Sequence, residues 1–336
     1  MRLRHPSGRI VHLTCGVSLS EALTPADAFT TLEAAAAALR AGLSGTSGTL
    51  GIALRLSHPL AAALVDDGRA RTRLRAELDR HGLEVVTLSG GPDAEGGGAP
   101  PVQAEATQAE TTQAGIESSG TPQVPAGSSG TPSAPIAPLP DWSEPARLQH
   151  TLALARILVD MLPDEEVRGA ISTCGLGRRE DWDEAHERDG ARHLRRLSGG
   201  LADLAWRVGR AVRCGFRPEP GYVLDTPEQT VTALTKVDKD RLGVCLDLTR
   251  VALDWPAPLD GIDRLTDAGL SVITVRITDP AVAWQPLLRH LLAADTARTE
   301  YIEIDTAGPG AADLTYVLEQ LTSLGLVPEH EPCTAP

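Results

Sequence analysis

Apolar residues in this chain fall into short, nearly continuous runs that alternate with longer stretches in which they recur every three or four positions. The first pattern predicts buried parallel strands and the second amphipathic helices. Ile10 to Thr14 predicts a strand, and Pro25 to Leu43 a helix with Phe29, Leu32, Ala36 and Leu39 on one face. Leu50 to Leu56 is the next strand, Leu60 to His81 one helix closed by Gly82, and Glu84 to Leu88 the third strand. Beyond a gap the alternation resumes with a helix capped by Ser143 and striped by Leu148, Leu152, Ala155 and Leu158. Strands follow at Gly169 to Thr173, Val212 to Phe216, Leu242 to Asp247, Leu270 to Ile277 and Tyr301 to Asp305. Helices follow at Leu194 to Arg210, Thr226 to Lys236, Leu259 to Asp267, Val282 to Ala294 and Ala311 to Leu324.

Eight strand-helix units in even alternation predict an α/β fold, a closed (β/α)8 TIM barrel spanning residues 8–328 as a single domain. No GxGxxG follows the first strand, which removes the main reason to expect an open dinucleotide-binding sheet. The gap, residues 90–140, has no Lys, Arg, His or aromatic residue and nearly repeats Ser118-Ser119-Gly120-Thr121-Pro122 as Ser128-Ser129-Gly130-Thr131-Pro132. Such a composition predicts a disordered insertion, because it buries too little apolar area to offset its ordering entropy. It follows strand three, so it belongs to the mouth of the barrel, as a tolerated loop expansion or as a lid or partner-binding segment. A disordered tail is expected at 329–336.

Composition narrows the function. With a net charge of −14 over 336 residues, the chain would repel nucleic acid and anionic membranes. No apolar run approaches the ~20 residues of a membrane helix, and the basic N-terminus lacks the apolar core of a signal peptide. The five cysteines show no CxxC spacing, and four sit in or beside predicted strands, where they read as buried small hydrophobes in a reducing cytoplasm.

In such a barrel, chemistry sits at the C-terminal ends of the strands. Those positions offer His12 and Cys15, Arg55 and Ser57, Ser89, Thr173, Arg217 and Glu219, Asp247 and Arg250, Arg276 and Thr278, and Glu303 and Asp305. Four arginines at one rim are unusual in so acidic a chain. Either each guanidinium pairs with a neighbouring carboxylate, or Arg55, Arg217, Arg250 and Arg276 together clamp an anionic small molecule with Asp247 and Glu303. Catalytic candidates are Glu219 and Asp305 as carboxylate bases, and His12 as a base or simply a hydrogen-bonded strand residue. His58, His150 and His186 are expected to face solvent.

Seven phrases in order carry a family resemblance: His12-Leu13-Thr14, Gly51 to Ser57, Val86-Thr87-Leu88, Leu139-Pro140-Asp141-Trp142, Ile171-Ser172-Thr173, Pro218-Glu219-Pro220-Gly221 and Leu242 to Asp247. Together they resemble the EboE-type metabolite-traffic proteins, a branch of the xylose-isomerase-like barrels. The resemblance implies a cytoplasmic barrel that helps a secondary metabolite reach its export route, with proteins of the same gene cluster as partners. Against the family's Glu-Pro-Glu-Pro this chain has Arg217-Pro218-Glu219-Pro220, and against its Asp-x-x-His it has Asp247-Leu248-Thr249-Arg250. Arg276 stands where a polar His or Gln ends strand seven. Arginine stays protonated and repels a cation, so no metal or other cofactor is expected. Three functions stay open, the first two being binding of a small metabolite or partner without metal catalysis, and a sugar or sugar-phosphate isomerase or epimerase, which would bring zinc or manganese back into question. In a third, a scaffold, the insertion recruits the partners.

Overall fold

The computed structural model describes residues 1–42, 49–90, 139–294, 297–306 and 311–329. The expected insertion, apart from its two ends, and the tail beyond residue 329 lie outside the described residues.

Eight parallel strands close into a barrel: β2 (Ile10–Leu19), β3 (Leu50–Leu56), β4 (Leu83–Gly90), β5 (Arg168–Thr173), β6 (Ala211–Phe216), β7 (Leu242–Asp247), β8 (Val272–Ile277) and β9 (Tyr301–Ile304). They neighbour one another in chain order, and β9 pairs with β2 to close the ring. Two further strands lie outside it. β1 (Arg2–Arg4) runs antiparallel on the lower half of β2, and β10 (Val327–Pro328) runs antiparallel on β1. Arg2-Leu3-Arg4 carries one apolar residue, too little for a strand signal, so pairing rather than pattern makes this element.

The helices pack outside, α1 (Pro25–Gly42), α4 (Pro145–Met161), α5 (Glu184–Val208), α6 (Pro227–Leu234), α9 (Gln285–Ala293) and α10 (Ala311–Ser323) among them. The helix expected over Leu60 to His81 is two, α2 (His58–Asp66) and α3 (Gly68–Arg80). Asp67 causes the break: its carboxylate accepts from the Arg69 and Ala70 amides and starts a new helix. The stretch after β7 likewise forms two helices, α7 (Leu248–Asp254) and α8 (Pro258–Asp267). α4 begins two residues after the expected cap, with Ser143 instead donating its hydroxyl to Asp141 at 2.6 Å. α5 ends at Gly209, whose φ of +71° is the left-handed turn that glycine adopts without strain.

The wall between strands and helices is aliphatic, with Ile273, Val275 and Ile277 of β8 wholly buried. The lumen is mixed. Thr87, Ser172, Cys245, Thr274, Arg276 and Glu303 are all buried polar or sulfur-bearing residues of the strands. Gly215 supplies room within it: a Cβ there would sit 3.1 Å from that of Cys245, and across this gap the Ser172 hydroxyl of β5 reaches the Cys245 sulfur of β7 at 3.4 Å.

Candidate functional site

The mouth is built from the last residues of each strand. On β8 and β9, Arg276 and Glu303 are register neighbours, and the Arg276 Nε lies 3.7 Å from Glu303. The same guanidinium contacts Asp305 Oδ2 through Nη2, and Arg55 of β3 donates to that same oxygen at 2.6 Å. Arg276 and Glu303 are nearly sealed from solvent, and Arg55 is about one-third exposed. Four of the expected residues thus meet in one ion-paired group, the structural alternative of the two stated above.

Arg217 stands apart on the loop after β6, its Nε 3.4 Å from Glu219, and both side chains are partly exposed. Arg217 also faces a small cavity between the ends of β4 and β5 and the first turns of α4, with Ser89, Arg147, His150, Ser172 and Thr173 around it.

Two of the expected residues, His12 and Arg250, lie elsewhere, while Asp247 ends β7 at the mouth in register with Arg276. β2 runs on to Leu19, so His12 sits near the start of its strand, at the opposite end of the barrel from the mouth. There its ring stacks on Tyr301 and its Nε2 lies 3.4 Å from Glu166. The strand was read short because its upper half alternates, with Val17 and Leu19 buried and Gly16 and Ser18 less so. Arg250 belongs to α7, half exposed and 3.5 Å from Asp254, turned away from the arginine group. Asp247 caps that helix, accepting from the Thr249 and Arg250 amides, and takes the Thr278 hydroxyl at 2.9 Å.

Two further residues at the mouth emerge only from the structure. His150 is buried rather than solvent-facing, 5.4 Å from the ring of the exposed His58. Arg147, one turn earlier, is 2% exposed and donates to the Pro140 and Leu139 carbonyls at 2.7 and 3.1 Å.

The thiols near the mouth are not activated. Burial, with Glu303 adding to it, pushes Cys245 up to about 11 despite Arg276, the Ser172 hydroxyl and Arg217. Burial and Glu303 push Cys15 to about 11 against the pull of the N-terminal ammonium.

A divalent ion does not fit this donor set. Asp305 lies between two guanidiniums, Glu303 lies against one of them, and Asp247 is engaged by Thr278 and two amides. Among the described residues no three of His, Cys, Asp and Glu come together to hold a metal. Nor, among them, is any helix long and apolar enough to cross a membrane.

No protein-family model matches the sequence, and no curated protein matches it. Solved structures do resemble the fold. A D-tagatose 3-epimerase-like protein is 12% identical, with 93% of this chain and 98% of that one covered and a TM-score of 0.54. A xylose isomerase-like TIM barrel protein from Mycobacterium smegmatis in complex with magnesium is 15% identical, covering 96% and 94%, with a TM-score of 0.52. An AP endonuclease, family 2, from Brucella melitensis is 15% identical, covering 91% and 97%, with a TM-score of 0.52. At such identities the likeness speaks for architecture alone. The closed eight-stranded ring and these likenesses agree: the chain has a (β/α)8 TIM-barrel fold, like these solved structures.

Proposed function

We propose that the chain is an isomerase or epimerase of a sugar-like substrate, acting by proton abstraction next to a carbonyl. The observation that carries this reading is the Arg217–Glu219 pair, a partly exposed carboxylate 3.4 Å from a guanidinium at the mouth. Glu219 takes the proton from the carbon beside the carbonyl. The C–H electron pair becomes the new carbon–carbon double bond, and the carbonyl pair moves onto oxygen as an enediolate. Arg217 holds that oxygen, and a hydroxyl-rich wall of Ser89, Ser172 and Thr173 orients the rest of the substrate. Return of the proton to the neighbouring carbon, with the hydroxyl proton passing to the former carbonyl oxygen, isomerises; reprotonation of the original carbon by solvent on the face away from Glu219 epimerises. The solved structures named as epimerases share the architecture and support this class of chemistry over transport. No step runs through a metal, because the donor set does not fit one.

The test is exchange of solvent deuterium into a panel of ketoses and aldoses, followed by NMR. Exchange is expected in at least one sugar and is lost in Glu219→Gln. A folded protein silent across the panel would overturn the reading.

A second reading is favoured by the arginine group itself. With Glu303 and Asp305 both held against Arg276, much of the mouth's charge is spent inside the protein. A metabolite-binding barrel of the EboE type, partnered by proteins of its gene cluster, needs no free base. It predicts tight binding of a metabolite with no exchange.

A further inference from the structure

The cavity beside Arg217 is lined mainly by hydrogen-bonding side chains, with Leu154 as its apolar exception. Two guanidiniums, Arg147 and Arg217, and the imidazole of His150 face it, with the hydroxyls of Ser89, Ser172 and Thr173, and among the described residues no Asp or Glu lines it. In a chain of net charge −14 that is a local reversal of sign. Two of its nitrogen-bearing side chains are fixed in place. Arg147 is clamped by the Pro140 and Leu139 carbonyls. His150 lies so close to Gly90 that a Cβ there would be 3.0 Å from its Nε2. The position of Thr173 is set by the Trp142 indole, which donates to its hydroxyl at 3.2 Å.

We propose that this cavity is a subsite for a carboxylate carried by the substrate, so that the molecule handled at the mouth is a sugar acid rather than a neutral sugar. The proposal rests on the isomerase reading for the chemistry at Glu219 but not for the subsite itself. Guanidinium groups are planar forks that match the two oxygens of a carboxylate. The space is about 10 Å³, enough for one oxygen or one water and too small for a tetrahedral phosphate to enter whole. A planar carboxylate presents one oxygen edge-on, with the second left toward Arg217. The substrate chain then runs from the β4–β5 side across the mouth toward Glu219, 3.4 Å from Arg217.

The experiment is calorimetric titration of the full chain with D-gluconate, with its neutral counterpart sorbitol, and with inorganic phosphate, in a carboxylate-free buffer. Gluconate is expected to bind at least tenfold tighter than sorbitol, and phosphate no tighter than sorbitol. In Ser89→Asp, which adds a negative charge to the wall, gluconate binding falls tenfold or more at an unchanged melting temperature. Should that variant fail to fold, competition by acetate against gluconate on the unaltered protein replaces it, and acetate must displace. Equal affinity for gluconate and sorbitol, no binding of either, or tightest binding of phosphate overturns the proposal. Gluconate preference without deuterium exchange leaves the subsite standing and removes proton abstraction. Exchange on neutral sugars without gluconate preference removes the subsite alone.

Discussion

Asp305 rests against the backbone of Gly16: a Cβ built on that glycine would lie 2.6 Å from Oδ1 and 3.3 Å from Cγ. A side chain so placed can normally swing aside. This one is held from two directions by Arg55 and Arg276, so it yields only by giving up an ion pair.

Gly16→Ala should therefore destabilise the fold by about 1–3 kcal/mol, as overpacking does. In an Asp305→Ala background, where the obstructing carboxylate is gone, the same substitution should cost less than ~0.5 kcal/mol. Denaturant titration of the four proteins reads the coupling directly. Additive losses would mean that Asp305 does not occupy this position.

Arg276→Leu leaves the Glu303 carboxylate, 6% exposed, without its guanidinium. Stranding one member of a buried pair costs about 3–5 kcal/mol, whereas replacing both with apolar groups is often neutral. The double variant Arg276→Leu, Glu303→Leu should recover most of the loss, measured as unfolding midpoint in urea. A single variant as stable as the unaltered protein would show that the pair contributes little.

At the floor of the barrel, burial works against ionisation of Glu166. The His12 hydrogen bond, the charges of His12 and Arg2 and the N-terminal ammonium outweigh it and hold the carboxyl below its ordinary value. A depressed folded value means stability that is present above the unfolded glutamate pKa of about 4.3 and is lost as pH falls through the folded value beneath it. The melting-temperature difference between the unaltered protein and Glu166→Gln should be present above the unfolded glutamate value and shrink progressively as pH falls below it. A difference independent of pH would remove the ion pair from the account.

The four described cysteines are buried and unpaired by disulfide. Burial pushes Cys15 and Cys245 to about 11 and raises Cys214 further. Thiolate, not thiol, reacts with a disulfide reagent. A Cys333→Ser variant should show no fast-reacting thiol at pH 8 while folded, and four when unfolded in guanidinium. A fast-reacting thiol in the native variant would place one of the four at the surface.

The barrel was legible because a strand buried on both faces reads as an unbroken apolar run, as Leu242 to Asp247 does, and eight such runs leave little choice of closure. Legibility failed where a strand stops being buried on both faces. The upper half of β2 opens onto the mouth and alternates, so its end was placed five residues early and His12 was carried to the wrong end of the barrel. Arg250 was misplaced for another reason. α7 starts at once after Asp247, and a residue three positions into that turn faces Asp254 rather than the lumen. For Arg55, Arg276, Glu303 and Asp305, strand position alone put them at one rim, and only the structure shows which guanidinium meets which carboxylate. His150 and Arg147 were hidden by the width of α4's buried face, which takes in 10 of its 17 residues and not merely the leucine stripe.

The antiparallel pair at the foot of the molecule also bears on how it meets its own kind. A closed ring has no lateral edge, but β1 hangs outside the ring and would offer one. β10 covers it with two residues, one of them Pro328, which has no amide hydrogen to donate. Among the described residues, a strand from another chain therefore finds almost nothing to zip onto, and fibre-like growth has no template at this end of the barrel.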